Sequence, residues 1–267
     1  MIKMIAIDLD GTLLDDKKQF NREQFSYLAS KLIVQGVRVV IATGNQFIKS
    51  VQYFDGISEK LIYITDNGST IHFGTQTYFS QTLASEDYQS FVSRLSLESQ
   101  KNIVVSTTTG AFILKNPTDN FLSALAHHYP RIDEVDHLSE VDESVVKLTL
   151  KLDDDYNEML KPVRSALPKN WRVTQSGFGY FDIIPKGVSK LTGIQELQRL
   201  WGIQKEEILA FGDSSNDIEL LSYLPNSFAM GNANAEVKQV AKYVIGSNNE
   251  NAVIQTLEKV FNTVSVS

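Results

Sequence analysis

Four short polar clusters in the sequence bring together carboxylates, hydroxyls, one ammonium and glycine-exposed backbone N–H groups. They are the run Asp8 to Thr12, the pair Thr43-Gly44, Lys190, and the run Gly212 to Asp217. Brought together, the four carboxylates of these runs would repel each other and partly protonate unless a cation lay among them. Mg²⁺ prefers oxygen ligands, and a few carboxylates commonly hold it while it keeps several waters. The clusters therefore predict a magnesium site.

The same residues suggest phosphoryl chemistry. We assign the Mg²⁺ ligands to Asp8, Asp10 (through its backbone carbonyl) and Asp213, with Asp217 supporting them from behind. A carboxylate can attack phosphorus and form an aspartyl-phosphate, and we expect Asp8 to be that nucleophile. Asp10 is placed to protonate the leaving alkoxide and then to deprotonate the hydrolytic water. The predicted reaction is hydrolysis of a phosphomonoester.

Phosphate contacts are expected from the remaining polar groups. Phosphoryl transfer depends mainly on positioning and charge neutralisation. Thr43, the Gly44 N–H and Lys190 are predicted to hold the transferring oxygens, and the Asn216 amide is predicted to donate to the same phosphate. Singly, each cluster also has an ordinary structural explanation: Asp-x-Asp as a solvated turn, Lys190 as a solvated helix residue, Gly212 to Asp217 as a helix cap. Their common position at strand ends and helix starts favours the functional interpretation.

The elements that must position these clusters alternate along the chain. The apolar runs Met4–Ile7, Val37–Ala42 and Leu61–Thr65 are typical of strands buried on both faces of a parallel sheet. Helical spacing follows Asn21 and ends at Gly36, and from Gly187 the same alternation resumes. Strand–helix–strand units of this kind predict an α/β fold with an open, doubly wound, mostly parallel sheet, whose ligands lie beyond the carboxyl ends of the strands.

The middle of the chain changes character. Hairpins are predicted around Gly74 and Gly110, helices near Glu86–Leu97 and Asp119–His128, and further strands over Val145–Leu152, Trp171–Gln175 and Tyr180–Ile184. Hairpins mixed with helices favour an α+β layer inserted into the first domain. We predict a core domain over residues 1–83 and 185–267 and an inserted cap domain over residues 84–184.

Composition narrows the partners. The net charge is −7, the pI is near 5.2, and the sequence has no Lys/Arg cluster, which argues against a nucleic-acid partner. Apolar stretches stay below the ~18 residues of a membrane span, so no membrane partner is expected. The chain has no cysteine, which excludes disulfides and thiolate metal sites and is compatible with a reducing, cytoplasmic location. The sequence leaves the oligomeric state open.

Three other groups of residues are interpreted as structural. His127-His128 lack a third metal ligand at a suitable spacing, and Asp153-Asp154-Asp155 is typical of a loop and helix cap. Phe178, Tyr180 and Phe181 are expected in a core, with a substrate pocket as the alternative.

The four clusters resemble the four motifs of the haloacid dehalogenase-like phosphatase superfamily, and the similarity covers the whole chain. The runs Met230–Ala233, Val237-Lys238 and Ser247–Asn249 resemble its Cof-type branch, which carries a large α/β cap between the second and third motifs. The resemblance implies a Mg²⁺ cofactor. The residues that it implies for the family's roles are the nucleophile Asp8, the acid/base Asp10, the metal ligands Asp8, Asp10 and Asp213, and the phosphate contacts Leu9 (backbone), Thr43, Gly44, Lys190 and Asn216.

One departure bears on the substrate. Many Cof-type members have Arg after the Thr-Gly pair, whereas this chain has Asn45-Gln46, as does a subgroup of bacterial sugar-phosphate and flavin mononucleotide phosphatases. The resemblance thus implies a small phosphorylated metabolite, with sugar phosphates first and flavin mononucleotide or a flavin-pathway intermediate as the alternative. A phosphomutase and a non-hydrolysing metabolite sensor stay open as further alternatives. Thr107–Gly110 and Phe178–Tyr180 are predicted to contact the leaving group.

Overall fold

The computed structural model describes residues 1–126, 129–142, 144–152, 156–177 and 179–262. Within these ranges no helix is long and apolar enough to cross a bilayer. The strands are β1 (Met4–Ile7), β2 (Arg38–Ala42), β3 (Ile62–Thr65), β4 (Thr70–Phe73), β5 (Gln76–Ser80), β6 (Ile103–Thr107), β7 (Ala111–Leu114), β8 (Asp133–Val135), β9 (Val145–Lys151), β10 (Trp171–Gly177), β11 (Tyr180–Pro185), β12 (Ile208–Gly212), β13 (Asn226–Ala229) and β14 (Tyr243–Val244). The α-helices are α1 (Arg22–Val34), α2 (Phe47–Ser50), α3 (Ser85–Arg94), α4 (Leu97–Gln100), α5 (Asp119–Ala126), α6 (Tyr156–Ala166), α7 (Lys190–Trp201), α8 (Ile218–Tyr223), α9 (Ala235–Val240) and α10 (Ala252–Asn262).

An eight-stranded sheet forms the first layer, in the order β14-β13-β12-β1-β2-β3-β4-β5. The strands from β14 to β3 run parallel, and β4 and β5 are antiparallel. Met4 of β1 pairs with Arg38 on one side and Ile208 on the other, so the carboxyl ends of β2, β1 and β12 lie side by side. The predicted α/β fold with a mostly parallel, doubly wound sheet is confirmed.

The apolar sequence of β1 suits its position inside this sheet. All four of its residues are fully buried, as expected for an apolar run covered by helices on both faces. Helix α1 begins after Asn21, whose side-chain oxygen accepts a 3.1 Å hydrogen bond from the Gln24 N–H, and its core-facing side includes Phe25 and Leu28. The covered central strand ends at Ile7, which delivers the next residue, Asp8, to the sheet edge.

A six-stranded sheet, in the order β10-β11-β9-β6-β7-β8, forms the second layer. It is antiparallel apart from the β7–β8 pair. A second hydrophobic cluster, which includes Phe91 and Trp171, packs between this sheet and its helices. The expected α+β cap layer is thus present. The domain limits at residues 83/84 and 184/185 stay predictions; Leu83 packs in this second cluster, and Pro185 ends β11.

Short elements are where the structure and the sequence prediction differ. The helix predicted near Glu86–Leu97 is two helices, because Leu95 takes an extended conformation and Ser96 caps α4 by accepting from the Ser99 N–H. Strand β8 and helix α9 were not predicted. They have three and six residues, which is too few for a hydrophobic periodicity to stand out.

Candidate active site

A cavity of about 540 Å³ lies between the edge of the eight-stranded sheet and the face of the six-stranded sheet. Asp8, Asp10 and Asp213 line it from the first sheet, with Thr43, Gly44 and Asn216 beside them. Lys147, Thr149 and Asp182 line it from the second sheet. The structure therefore brings most of the predicted site residues to one cavity; Lys190 and Asp217 lie behind Asp8.

Lys190 is buried between two carboxylates. It begins α7 and is 1% exposed; its ammonium donates to Asp8 Oδ1 at 2.6 Å and to Asp217 Oδ1 at 2.7 Å. Burial alone would lower the pKa of Lys190, but the Asp217 and Asp8 carboxylates outweigh it and the net pKa is raised. Lys190 therefore stays charged beside Asp8.

Asp213 joins this centre from the loop after β12. Thr12 Oγ1 donates to Asp213 Oδ1 at 3.0 Å, and a Cβ on Gly11 would lie 2.5 Å from Asp213 Oδ2. Burial, and then the charge of Asp217, raises the pKa of Asp213 to about 6, against the lowering effects of Lys190 and Thr12. Asp213 is thus held close to the run Asp8 to Thr12, in surroundings that disfavour its negative charge.

A cation fits this carboxylate cluster. Asp8, Asp213 and Asp217 each offer an oxygen, and these oxygens lie within 4.8 Å of one another. Burial raises the pKa of Asp8 well above its ordinary value despite Lys190, and the Asp217 and Asp213 charges add to the effect. Hard oxygen ligands whose mutual repulsion Lys190 relieves only in part suit a divalent cation. The buried cluster can hold a metal.

Asp10 lies in different surroundings. Lys18 donates to its Oδ1 at 2.6 Å, and Asn45 Nδ2 donates to its Oδ2 at 2.6 Å. Burial raises the pKa of Asp10. The opposing effects are together larger, so the net pKa is below the ordinary value; they come from the Lys18 charge and hydrogen bond, the Lys49 charge and the Asn45 hydrogen bond. The sequence analysis did not predict a role for Lys18. Its backbone has a φ of 59°, and a turn of this kind has no sequence signal at a lysine.

The predicted phosphate contacts gather around the loop after β2. Thr43 Oγ1 accepts from the Asn45 N–H at 3.1 Å, and a Cβ on Gly44 would lie 3.0 Å from Asn67 Oδ1. Asn216 Nδ2 donates to Asn67 Oδ1 at 2.9 Å. Leu9 is fully buried, and its carbonyl accepts from two N–H groups of the turn that follows. Of these residues, Thr43, Gly44 and Asn216 line the cavity.

Lys147, Asp66 and Asp182 form a buried charged group that the sequence analysis missed. Lys147 Nζ donates to the Gly44 carbonyl at 2.7 Å and lies 3.2 Å from Asp66 Oδ1 and 3.7 Å from Asp182 Oδ2. Two signals were available. The polar turn at Asp66 follows β3 at the same sheet edge as the other clusters, and the polar residues of β9 alternate onto one face.

The predicted leaving-group contacts are only partly at this cavity. Thr107–Gly110 line a neighbouring cavity of about 230 Å³, and Gly110 accepts a 3.1 Å hydrogen bond from Gln46 Nε2. Tyr180 lines the main cavity, whereas Phe181 packs in the second hydrophobic cluster. His127, His128, Asp153, Asp154, Asp155 and Phe178 lie outside the described residues.

Comparison with known proteins agrees with this geometry. The profile of the haloacid dehalogenase-like hydrolases matches residues 5–257. The chain belongs to this family. It is 33% identical over 260 residues to the Escherichia coli K12 5-amino-6-(5-phospho-D-ribitylamino)uracil phosphatase YbjI, with 97% of this chain and 96% of the relative covered. It is 25% identical over 272 residues to a Bacillus subtilis protein of the same activity, YitU, with 97% of each covered. A crystal structure of a Streptococcus mutans UA159 protein superimposes with a TM-score of 0.90 at 28% identity and covers 98% of this chain and 100% of its own.

The family match and the relatives make this chain a phosphatase, and the similarity to the Cof-type branch is confirmed.

Proposed function

We propose that this phosphatase hydrolyses phosphomonoesters with Mg²⁺ as cofactor and through an aspartyl-phosphate on Asp8. One observation carries the proposal. Asp8 lines the cavity with the Lys190 ammonium 2.6 Å from its Oδ1, and its carboxylate lies close to those of Asp213 and Asp217. A nucleophile, a fixed positive charge and a cation-binding cluster thus converge where a phosphoryl group would enter.

In the first step, an Asp8 oxygen forms a bond to phosphorus while the bond from phosphorus to the ester oxygen breaks. The leaving alkoxide takes a proton from Asp10. Lys18 and Asn45 keep Asp10 ionised in the absence of substrate. A phosphate dianion that arrives beside Asp10 raises its pKa again, because like charges favour the protonated acid. Substrate binding thereby supplies the acid that this step requires.

In the second step, water attacks the phosphorus of the aspartyl-phosphate. Asp10, now ionised, accepts the proton of that water, and the bond between phosphorus and Asp8 breaks. Free phosphate and the alcohol are the products, and Asp8 and Asp10 return to their starting states. Thr43, the Gly44 N–H, Lys190 and Asn216 would hold the phosphoryl oxygens throughout.

Mg²⁺ would be held by Asp8, Asp213 and the backbone carbonyl of Asp10, with Asp217 behind them. When bound, it would neutralise the charge that the phosphoryl group and the carboxylates bring together. Asp217 supports the others because its Oδ2 accepts from the N–H groups of Asp213 and Ser214, while its Oδ1 accepts from Lys190.

The proposed substrate is 5-amino-6-(5-phospho-D-ribitylamino)uracil. The relatives YbjI and YitU carry this activity in their names, which favours a flavin-pathway phosphate over sugar phosphates as the substrate. The cavity suits such a molecule in size, since small-ligand pockets span roughly 300–1,000 Å³. It also suits its polarity, because most of the lining residues are charged or polar. The Tyr180 ring, held by its hydroxyl on the Ala124 carbonyl at 3.0 Å, offers an aromatic surface to the heterocycle.

The test is phosphate release from this compound, flavin mononucleotide and a set of sugar phosphates, with Mg²⁺ and with chelator. We expect Mg²⁺-dependent release with the highest kcat/KM for the ribitylaminouracil phosphate. Asp8→Asn should retain the fold and lose turnover by at least about a thousandfold, as removal of a covalent nucleophile does. A best substrate among the sugar phosphates would overturn only the substrate assignment. Substantial hydrolysis by folded D8N would overturn the mechanism, and an isomer as product would indicate a phosphomutase.

A further inference from the structure

A chain of side-chain hydrogen bonds runs from the six-stranded sheet to the amide of Asn216. Tyr129 OH donates to Thr149 Oγ1 at 3.0 Å, and Thr149 Oγ1 donates to Asp182 Oδ1 at 2.7 Å. Asn67 Nδ2 donates to Asp182 Oδ2 at 2.8 Å, and Asn67 Oδ1 accepts from Asn216 Nδ2 at 2.9 Å. Asn67 is therefore the link between the two layers in this chain of bonds.

Asn67 is fixed by its own backbone. It is 2% exposed and has a φ of 57°, a left-handed conformation that asparagine tolerates better than most residues. Its N–H donates to the Thr43 carbonyl at 3.1 Å. The next residue, Gly68, packs so closely on α7 that a Cβ there would lie 2.1 Å from the Ser189 carbonyl oxygen. The backbone that carries the Asn67 side chain is therefore rigid.

The Asn216 amide has one favoured orientation. Its Oδ1 accepts from Ser214 Oγ at 2.6 Å while its Nδ2 donates to Asn67 Oδ1. Rotation of the amide by 180° would set its oxygen against Asn67 Oδ1, and two acceptors repel. The second N–H of Asn216 is then held toward the cavity that Asn216 lines.

We propose that Asn67 is a positioning residue that orients the Asn216 amide for phosphate and does so through its bond to Asp182 of the six-stranded sheet. The inference rests on the proposed function, which assigns a phosphate contact to Asn216. A docked six-stranded sheet fixes the Asn67 amide, and the Asn67 amide fixes that of Asn216. Docking of the cap layer and readiness of the phosphate site are thus parts of one arrangement.

The first experiment is a double-mutant cycle between Asn67 and Asn216. Asn67→Gly suits the φ of 57° and removes only the amide, so backbone strain does not confuse the result. The readout is the dissociation constant of inorganic phosphate, measured by calorimetry on the Mg²⁺-loaded chain. N67G and N216A should each weaken binding by about tenfold, the size of one hydrogen bond to a charged group. The double variant should be no weaker than N216A alone, within about threefold.

The second experiment exchanges the amide and the carboxylate. Asp182→Asn alone leaves one oxygen where Asn67 Nδ2 and the Thr149 hydroxyl each donate to their own, so one of the two bonds is lost. Asn67→Asp alone sets two carboxylates together. In N67D/D182N the carboxylate at position 67 accepts from both neighbouring amides, and the amide oxygen at position 182 still accepts from Thr149. D182N should weaken phosphate binding by about fivefold, and the exchange should recover it to within about twofold.

The outcomes separate the two proposals. If N216A binds phosphate as tightly as the unchanged chain, the assignment of Asn216 is wrong, and the proposed role of Asn67 is wrong with it. If N216A weakens binding but N67G does not, or if N67G adds its full loss on top of N216A, Asn67 does not act through Asn216. If the exchange binds no better than D182N, the part played by the six-stranded sheet is overturned. Should N67G fail to fold, the exchange still decides.

Discussion

Lys147 and Gly44, which are 103 residues apart, meet where the two sheets face each other: the Lys147 ammonium donates a 2.7 Å hydrogen bond to the Gly44 carbonyl oxygen. The same ammonium lies between the Asp66 and Asp182 carboxylates. Burial lowers the pKa of Lys147, but the two carboxylates raise it by more, so Lys147 stays charged. A buried cation that satisfies a backbone carbonyl and two acids joins the six-stranded sheet to the rim of the active site.

Lys147→Met should therefore destabilise the chain. It leaves two buried carboxylates without their cation, and loss of one partner of a buried pair costs about 3 kcal/mol in the free energy of unfolding. Urea denaturation measures this loss. The control is Lys115→Met, which removes an ammonium whose pair with Asp136 is about half exposed at the surface and which should change stability by less than about 1 kcal/mol. Equal effects of the two variants would show that the Lys147 contacts contribute no more than a surface pair.

Gly11→Ala should disturb the metal site. Gly11 has a φ of 77°, and the new Cβ would lie 2.5 Å from Asp213 Oδ2, so Asp213 must move. Gly36→Ala is a matched control, because Gly36 has a φ of 84° and nothing lies within 4 Å of the position of its Cβ. Both variants should lose about 1 kcal/mol of stability from backbone strain. Only G11A should raise the Mg²⁺ concentration for half-maximal activity, by about tenfold, as expected when a ligand or its support is displaced. A similar rise in G36A would rule out this explanation.

Stability should depend on pH through His72. Burial lowers the pKa of His72 to about 4, from an unfolded value near 6.5, so the unfolded chain binds the proton more tightly. The contribution of neutral His72 to stability is present above pH 6.5 and is lost as the pH falls toward 4. Between pH 7 and pH 5 the loss is about 2 kcal/mol.

Comparison with His72→Asn isolates that contribution. Asparagine keeps an acceptor for Thr77, whose Oγ1 lies 3.2 Å from His72 Nδ1, but it does not titrate. The difference in unfolding free energy between the two chains should shift by about 2 kcal/mol between pH 7 and pH 5. Other titrating groups, such as Asp66, cancel in the difference. A difference that is constant with pH would show that His72 is protonated equally in both states.

Much of the site follows from the sequence because parallel strands end at a common edge. Asp8 and Lys190 are 182 residues apart in the sequence. Asp8 follows a buried strand and Lys190 begins a helix, which predicts that they meet, and Lys190 Nζ lies 2.6 Å from Asp8 Oδ1. The same rule applies to Asp66-Asn67-Gly68, which follows β3, so this turn was within reach of the sequence analysis.

The contacts between the two sheets do not follow from local patterns. Alternation along β9 indicates that Lys147 and Thr149 share a face, but it does not tell which surface that face meets. The docking of the sheets determines that Lys147 reaches Gly44 and that Asp182 reaches Asn67. The ion pair between Lys18 and Asp10 likewise depends on a turn whose lysine has a positive φ.

Asp217 offers the sharpest test of the proposed metal ligands. Its Oδ2 accepts from two N–H groups and its Oδ1 accepts from Lys190, which favours a supporting role. It also offers an oxygen within 4.8 Å of oxygens of Asp8 and Asp213, as a ligand would. Asp217→Asn removes an acceptor of Lys190 and should lower kcat by about a hundredfold, as the loss of a positioning contact does. The Mg²⁺ concentration for half-maximal activity should change by less than about threefold, whereas Asp213→Asn should raise it by at least about tenfold. Glu219→Gln, in the exposed pair with Arg172, is the control and should change neither quantity. A Mg²⁺ requirement that rises equally in D217N and D213N would make Asp217 a ligand itself.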